Sequence, residues 1–152
     1  MLNDVFNYSI PVLHPIIVHF PVALSVMGLL LVTGWLIRNR PFWLNGTLWV
    51  LGSALAGAIF ALRTGEAMEE QGEGIAIVDE FVHLHETFAE RTTWLLAITV
   101  VWLLVAKWMS RNDISQSGAA AWIRWLSFAL VLATALMMAF TGHVGGVMTW
   151  GV

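Results

Sequence analysis

The chain has 152 residues, 59% of them hydrophobic and 11% charged, with a formal net charge of −3 and a mean hydropathy of +0.78. A soluble domain carries about twice that charged share, and one small globule cannot bury so much apolar side chain, so the expected solvent is lipid. The acidic balance speaks against nucleic acid as a partner. The lack of cysteine excludes disulfides, thiolate-held iron–sulfur clusters and covalent c-type haem attachment.

The opening MLNDVFNYS contains Asp4 and no basic residue, so it does not read as a cleavable signal peptide. The first apolar run covers about residues 11–37 and begins with LHPIIVHFP. His14 precedes Pro15, which disfavours helical geometry at His14, whereas Pro15 itself suits a first helical turn. His14 is therefore expected at the mouth of the helix. His19 follows five residues on, about 7.5 Å deeper and about 140° around the axis, so the two rings cannot serve one compact site from a regular helix. Pro21 removes the bond to the Ile17 carbonyl, and a bend there would open space beside His19. An ionisable ring at membrane depth is a functional candidate by default; the alternative is a neutral imidazole bonded to a helix carbonyl or a serine.

After the polar turn RNRP, a second apolar run covers about residues 41–62 and carries Ser53, Gly57 and Ala61 as a small-residue stripe for close helix approach. Residues 63–91 form the one substantial loop, whose second half extends the third helix from about Ile77. His83 and His85 are about 200° apart on such a helix, so at most one faces inward; the continuation HETFAERTTWLLA favours His85. Glu80-x-x-His83 is half of a di-iron motif without a second copy, and Asp79, Glu80, Glu86 and Glu90 read as a solvated face. The third run covers about residues 92–109 and the fourth about 119–140, joined by SRNDISQSG. TGHVGG follows, where Gly142, Gly145 and Gly146 are expected to break the helix and admit whatever His143 touches.

These runs define a single all-α domain, 1–152: a polytopic four-transmembrane-helix bundle. Arg38, Arg40, Lys107, Arg111 and Arg124 fall on one side, Arg63 and Arg91 on the other. The basic excess places the first group in the cytoplasm, with both termini and the loop outside, periplasmic in a bacterial inner membrane. Trp35, Trp43, Trp108, Trp122 and Trp125 then make a cytoplasmic aromatic belt. All the histidines, and every acid except Asp113, gather at the outer end.

The stretches HPIIVHFP (His14 to Pro21), TG (Thr64, Gly65), HETFAE (from His85) and TGHVGG (Thr141 to Gly146) together resemble the small bacterial membrane family catalogued as domain of unknown function 2231. The resemblance spans almost the whole chain, and its first and last motifs are the specific ones. Such relatives are often found beside or fused to c-type cytochrome domains, which implies an electron-transfer setting with non-covalent haem. The chain departs from the family at its end, where Gly146 is followed by VMTWGV, a shorter tail without the usual tyrosine.

Histidines on facing helices of a bundle can ligate haem iron axially. His14, His19, His85 and His143 are the candidate ligands for one or two non-covalent b haems, with Arg63 and Arg91 as candidate propionate partners; a salt bridge to Glu66 or Glu90 is the alternative for the arginines. The expected role is a membrane b-type cytochrome, an electron carrier or redox subunit rather than a stand-alone enzyme. It would work at the outer side with a periplasmic cytochrome c or a quinol, and with lipid or a second copy of the chain around it. The alternatives are a copper, zinc or iron site built from the same histidines, or a structural subunit of a redox complex.

Overall fold

The computed structural model describes residues 10–72, 74–111 and 119–150. The helices are α1 (Ile10–Ile17), α2 (His19–Arg38), α3 (Pro41–Gly72), α4 (Ala76–Arg111) and α5 (Ala119–Trp150). In hydrocarbon each amide must find its partner within its own segment, which leaves helix as the economical solution. Four stretches are long and apolar enough to cross a bilayer: Leu13–Arg38, Pro41–Glu69, Ala76–Ser110 and Ala121–Met148.

α1 and α2 share the first of these. Val18 between them stays right-handed (φ −61°, ψ −24°), and its N–H donates to the His14 carbonyl at 3.1 Å. His14 is thus inside α1 and not at its mouth. The conformation before a proline is disfavoured by a steric clash but not forbidden, and leaving the helix in lipid would strip the carbonyl of its donor.

The turn RNRP obeys local chemistry. Asn39 adopts the left-handed conformation (φ 45°, ψ 45°) and donates its N–H to Trp35 O at 2.9 Å, and Pro41 is the first residue of α3. Helical structure reaches well past the expected ends of spans two, three and four. Most of the 63–91 stretch is helical, because EAMEEQ consists of strong helix formers. The reversal is confined to the residues between Gly72 and Ala76, where Gly74 takes φ +85° and donates its N–H to the Asp79 carboxylate at 3.3 Å. With 32 and 36 residues, α3 and α4 are about 48 and 54 Å long, well beyond the ~30 Å of hydrocarbon.

α5 likewise continues through Gly142, Gly145 and Gly146 to Trp150, so the glycines do not break it. A glycine costs a helix about 1 kcal/mol, less than an unbonded amide costs in lipid. The N-terminal nine residues, the connection 112–118 with Asp113, and residues 151–152 lie outside the described residues.

Contacts define the register of the bundle. Gly28 meets Leu51 and Gly34 meets Trp43 across α2 and α3. Thr99 meets Thr134 and Trp102 meets Ser127 across α4 and α5. Val22 meets Gly142 and Leu36 meets Arg124 across α2 and α5. In each pair one sequence number rises as the other falls, so the helices are antiparallel. α3 also packs on α4, closing a ring of four in which each long helix touches two neighbours. α1 packs on α3 and α2 but makes no close backbone approach to α4 or α5.

Small and hydroxylated residues are interspersed with leucines in the interior, while the exterior is large and apolar. Ala54, Ala58, Thr47, Thr99, Ser127 and Thr134 are buried, whereas Trp49, Phe42, Trp94, Phe20 and Leu136 are exposed. That is the reverse of a water-soluble bundle and suits lipid on the outside, with small residues letting the backbones approach. Buried hydroxyls donate back to carbonyls one turn earlier, as Ser25 does to Pro21 at 2.7 Å and Ser127 to Ile123 at 2.8 Å. Among the described residues no buried side-chain nitrogen or oxygen lacks a partner.

Two sequence expectations change. Trp35 is buried and Trp43 is half-buried on Gly34, so of the five tryptophans only Trp108, Trp122 and Trp125 are exposed for a belt. The inward small residues of α3 are Ala54, Ala58 and Ala61; Ser53 faces out, while Gly57 receives Pro21, whose Cδ lies 3.4 Å from the position of a β-carbon.

Candidate functional site

A seven-residue period carries the buried faces. On α4, Thr92, Thr99 and Ala106 are all buried, and one period earlier stands His85. On the first span Gly28 and Trp35 follow Pro21, all three buried, and one period before Pro21 stands His14. A seven-residue repeat keeps one helix face towards its neighbours, so both imidazoles continue inward-facing rows. Both are half-buried.

The row opposite each ring ends in glycine. Leu44, Leu51 and Ala58 lead to Gly65, and Val131 and Met138 lead to Gly145. A β-carbon on Gly65 would lie 3.2 Å from His14 Cε1, and one on Gly145 only 2.9 Å from His85 Cε1. The rings occupy the room that a side chain there would take.

Hydrogen bonds then bear on the tautomers. His85 Nδ1 lies 3.2 Å from the Thr141 carbonyl oxygen, which can only accept, so Nδ1 carries the proton. His14 Nδ1 lies 3.0 Å from Thr64 Oγ1. That hydroxyl also reaches the Phe60 and Ala61 carbonyls, at 3.2 and 3.1 Å; when its single proton goes to them it accepts from His14. With Nδ1 protonated, as in His85, Nε2 of a neutral ring keeps its lone pair. The supports are themselves anchored: Thr141 donates to Met137 O at 2.9 Å and accepts from Thr92 at 3.0 Å. Phe88 and Phe140 pack edge to face at 4.7 Å across the same two helices.

His14 and His85 come from the two different hairpins of the bundle. Of the six residues marked in the sequence, these two are the ones that face inward. His19 and His143 are exposed. The His19 ring turns back along its own helix, where Nδ1 donates to the Pro15 carbonyl. The close approach at the terminal glycines is made by His85 and not by His143. Arg63 is exposed and lies 3.6 Å from Glu66, and Arg91 is exposed. His83 faces out, opposite to His85, with Glu86 at 3.9 Å.

Thr64 and Thr141 as anchors, and Gly65 and Gly145 as clearances for the rings, went unrecognised in the sequence. For Gly65, Thr141 and Gly145 the signal was the seven-residue period of buried positions that runs through them.

Two inward-facing imidazoles at one end of the bundle can ligate a metal or a haem iron, or exchange hydrogen bonds with a polar headgroup. The arrangement defines a polytopic helical membrane protein with two half-buried histidines facing the bundle interior. The family model described as "Predicted membrane protein (DUF2231)" matches residues 10–152, and the chain belongs to that family. No curated protein and no solved structure matches it.

Proposed function

We propose that the chain is a membrane b-type cytochrome whose haem is held by His14 and His85. One observation carries this reading: both imidazoles, from separate hairpins, face inward with Nδ1 within hydrogen-bond distance of an oxygen, Thr64 Oγ1 for His14 and the Thr141 carbonyl for His85. The donor set fits the group, because bis-imidazole ligation uses a neutral ring with one free nitrogen, and the bond on the other nitrogen orients the ring and raises its basicity. When bound, the haem supplies one-electron transfer. The protein fixes the two rings through Thr64 and Thr141 and keeps water away with the apolar walls of the bundle. His19 and His143, on the outer surface of α2 and α5, remain candidates for a second haem, and Arg91 for a propionate.

The histidine end is also the acidic end, and the opposite end carries Arg38, Arg40, Lys107 and Arg124. That asymmetry supports a cytoplasmic basic end and a periplasmic histidine end in the bacterial inner membrane. With no imidazole in the other half, electrons would be exchanged on one side, with a periplasmic cytochrome c or a quinol. An acidic end would steer a basic cytochrome c, an effect that weakens with salt.

The test is spectroscopic. The chain purified in detergent should show low-spin haem bands that sharpen on dithionite reduction, and His14→Ala or His85→Ala should abolish them while His83→Ala leaves them intact. A colourless protein would sink the proposal; copper or zinc held at the same pair would favour a non-haem metal protein instead.

A further inference from the structure

Glu69 on α3 and His83 and Glu86 on α4 form a second group of donors, unconnected with the imidazole pair. One ligand atom from each lies within 4.8 Å of the other two. His83 and Glu86 are three apart on one helix face and meet at 3.9 Å, and Glu69 reaches them from the neighbouring helix. A cleft of about 340 Å³, lined by Glu69, Val78, Asp79, Val82 and His83, opens beside them. The tight reversal at Gly74, closed by its bond to Asp79, holds the two helices in this relation.

We infer that Glu69, His83 and Glu86 bind a divalent transition-metal cation of the zinc type. The imidazole separates this group from an ordinary acidic patch. One nitrogen and two carboxylate oxygens suit zinc and its first-row neighbours, whereas magnesium and calcium prefer oxygen alone. Ligands about 2.1 Å from a tetrahedral ion are about 3.4 Å apart. Exposed side chains close from 4.8 Å to that spacing by rotamer adjustment, and the adjacent cleft admits the water that completes the coordination. His83 lies about 200° around α4 from His85, so this ion and the proposed haem would occupy different faces. The bound ion would clasp the projecting ends of α3 and α4 to each other.

The chain in detergent, stripped with chelator, is titrated with zinc by calorimetry and with cobalt by absorption. The expected result is one site per chain with a nitrogen–oxygen cobalt spectrum. Glu69→Gln and His83→Ala should each weaken it about tenfold or more; both positions are at the polar end, and circular dichroism checks that the variants stay folded. His85→Ala should leave zinc binding unchanged, which separates this site from the haem reading. Lack of uptake overturns the inference. So does displacement by equimolar magnesium, or uptake indifferent to His83→Ala.

Discussion

Gly145 and His85 are matched in size: a β-carbon on Gly145 would lie 2.9 Å from the His85 ring, which the Thr141 carbonyl holds in place. Gly145→Ala therefore sets a gain in helix propensity of about 1 kcal/mol against an overpacking cost of about 1–3 kcal/mol. The expected outcome is a displaced His85 and loss of the haem spectrum with little change in thermal stability. Gly146→Ala, which meets nothing within 4 Å, should keep the spectrum and raise stability.

Thr64→Val retains shape and removes the hydroxyl within hydrogen-bond distance of His14 Nδ1. Losing such a support typically costs ligand affinity about 10–100-fold. Haem titration should show that loss with the helical content unchanged. Retention of wild-type affinity would mean that the hydroxyl does not set the tautomer.

The Thr99–Thr134 pair, 3.0 Å apart in the core, tests how the two helices of the second hairpin, α4 and α5, are joined. Each hydroxyl also bonds a carbonyl of its own helix at 2.8 Å. The interhelical share is accordingly modest, about 0.6 kcal/mol by the average for such bonds in membranes. Thr99→Val should cost about that much in unfolding from mixed micelles, and adding Thr134→Val should cost little more. Strictly additive losses would show that the two hydroxyls act independently.

Because the chain has no cysteine, single cysteines report its direction in the membrane. Glu80→Cys and Ser110→Cys lie at exposed positions towards opposite ends of α4. A membrane-impermeant maleimide on cells with a permeabilised outer membrane should label the first and reach the second only after lysis. The reverse pattern would place the histidine end in the cytoplasm.

Much of this was legible in the sequence. Hydropathy runs mark the four spans, Asn39 and Pro41 mark the first turn, and the opposed directions of His83 and His85 follow from helix geometry alone. The ends were harder. Glycines at 142, 145 and 146 look like a stop by water-based rules, but a bilayer denies the freed amide any other partner and the helix goes on. Charged residues such as Glu66 and Glu69 look like loop in a membrane protein, yet their propensity extends α3 beyond the lipid. That His14, and not His19 or His143, joins His85 in facing inward was hidden for a different reason. Spacing along one helix says which way a ring points, whereas the level at which two hairpins meet depends on contacts between them, such as Val22 on Gly142 and Arg124 on the Leu36 carbonyl.

The seam between α2 and α5 brings the first and last spans side by side, and their antiparallel run puts Ile10 and Trp150 at the same pole as the imidazoles. A soluble redox module grafted onto either extremity would hang directly over His14 and His85. The architecture is in that sense a pedestal, able to present its half-buried imidazoles to cargo tethered from above by either of two routes.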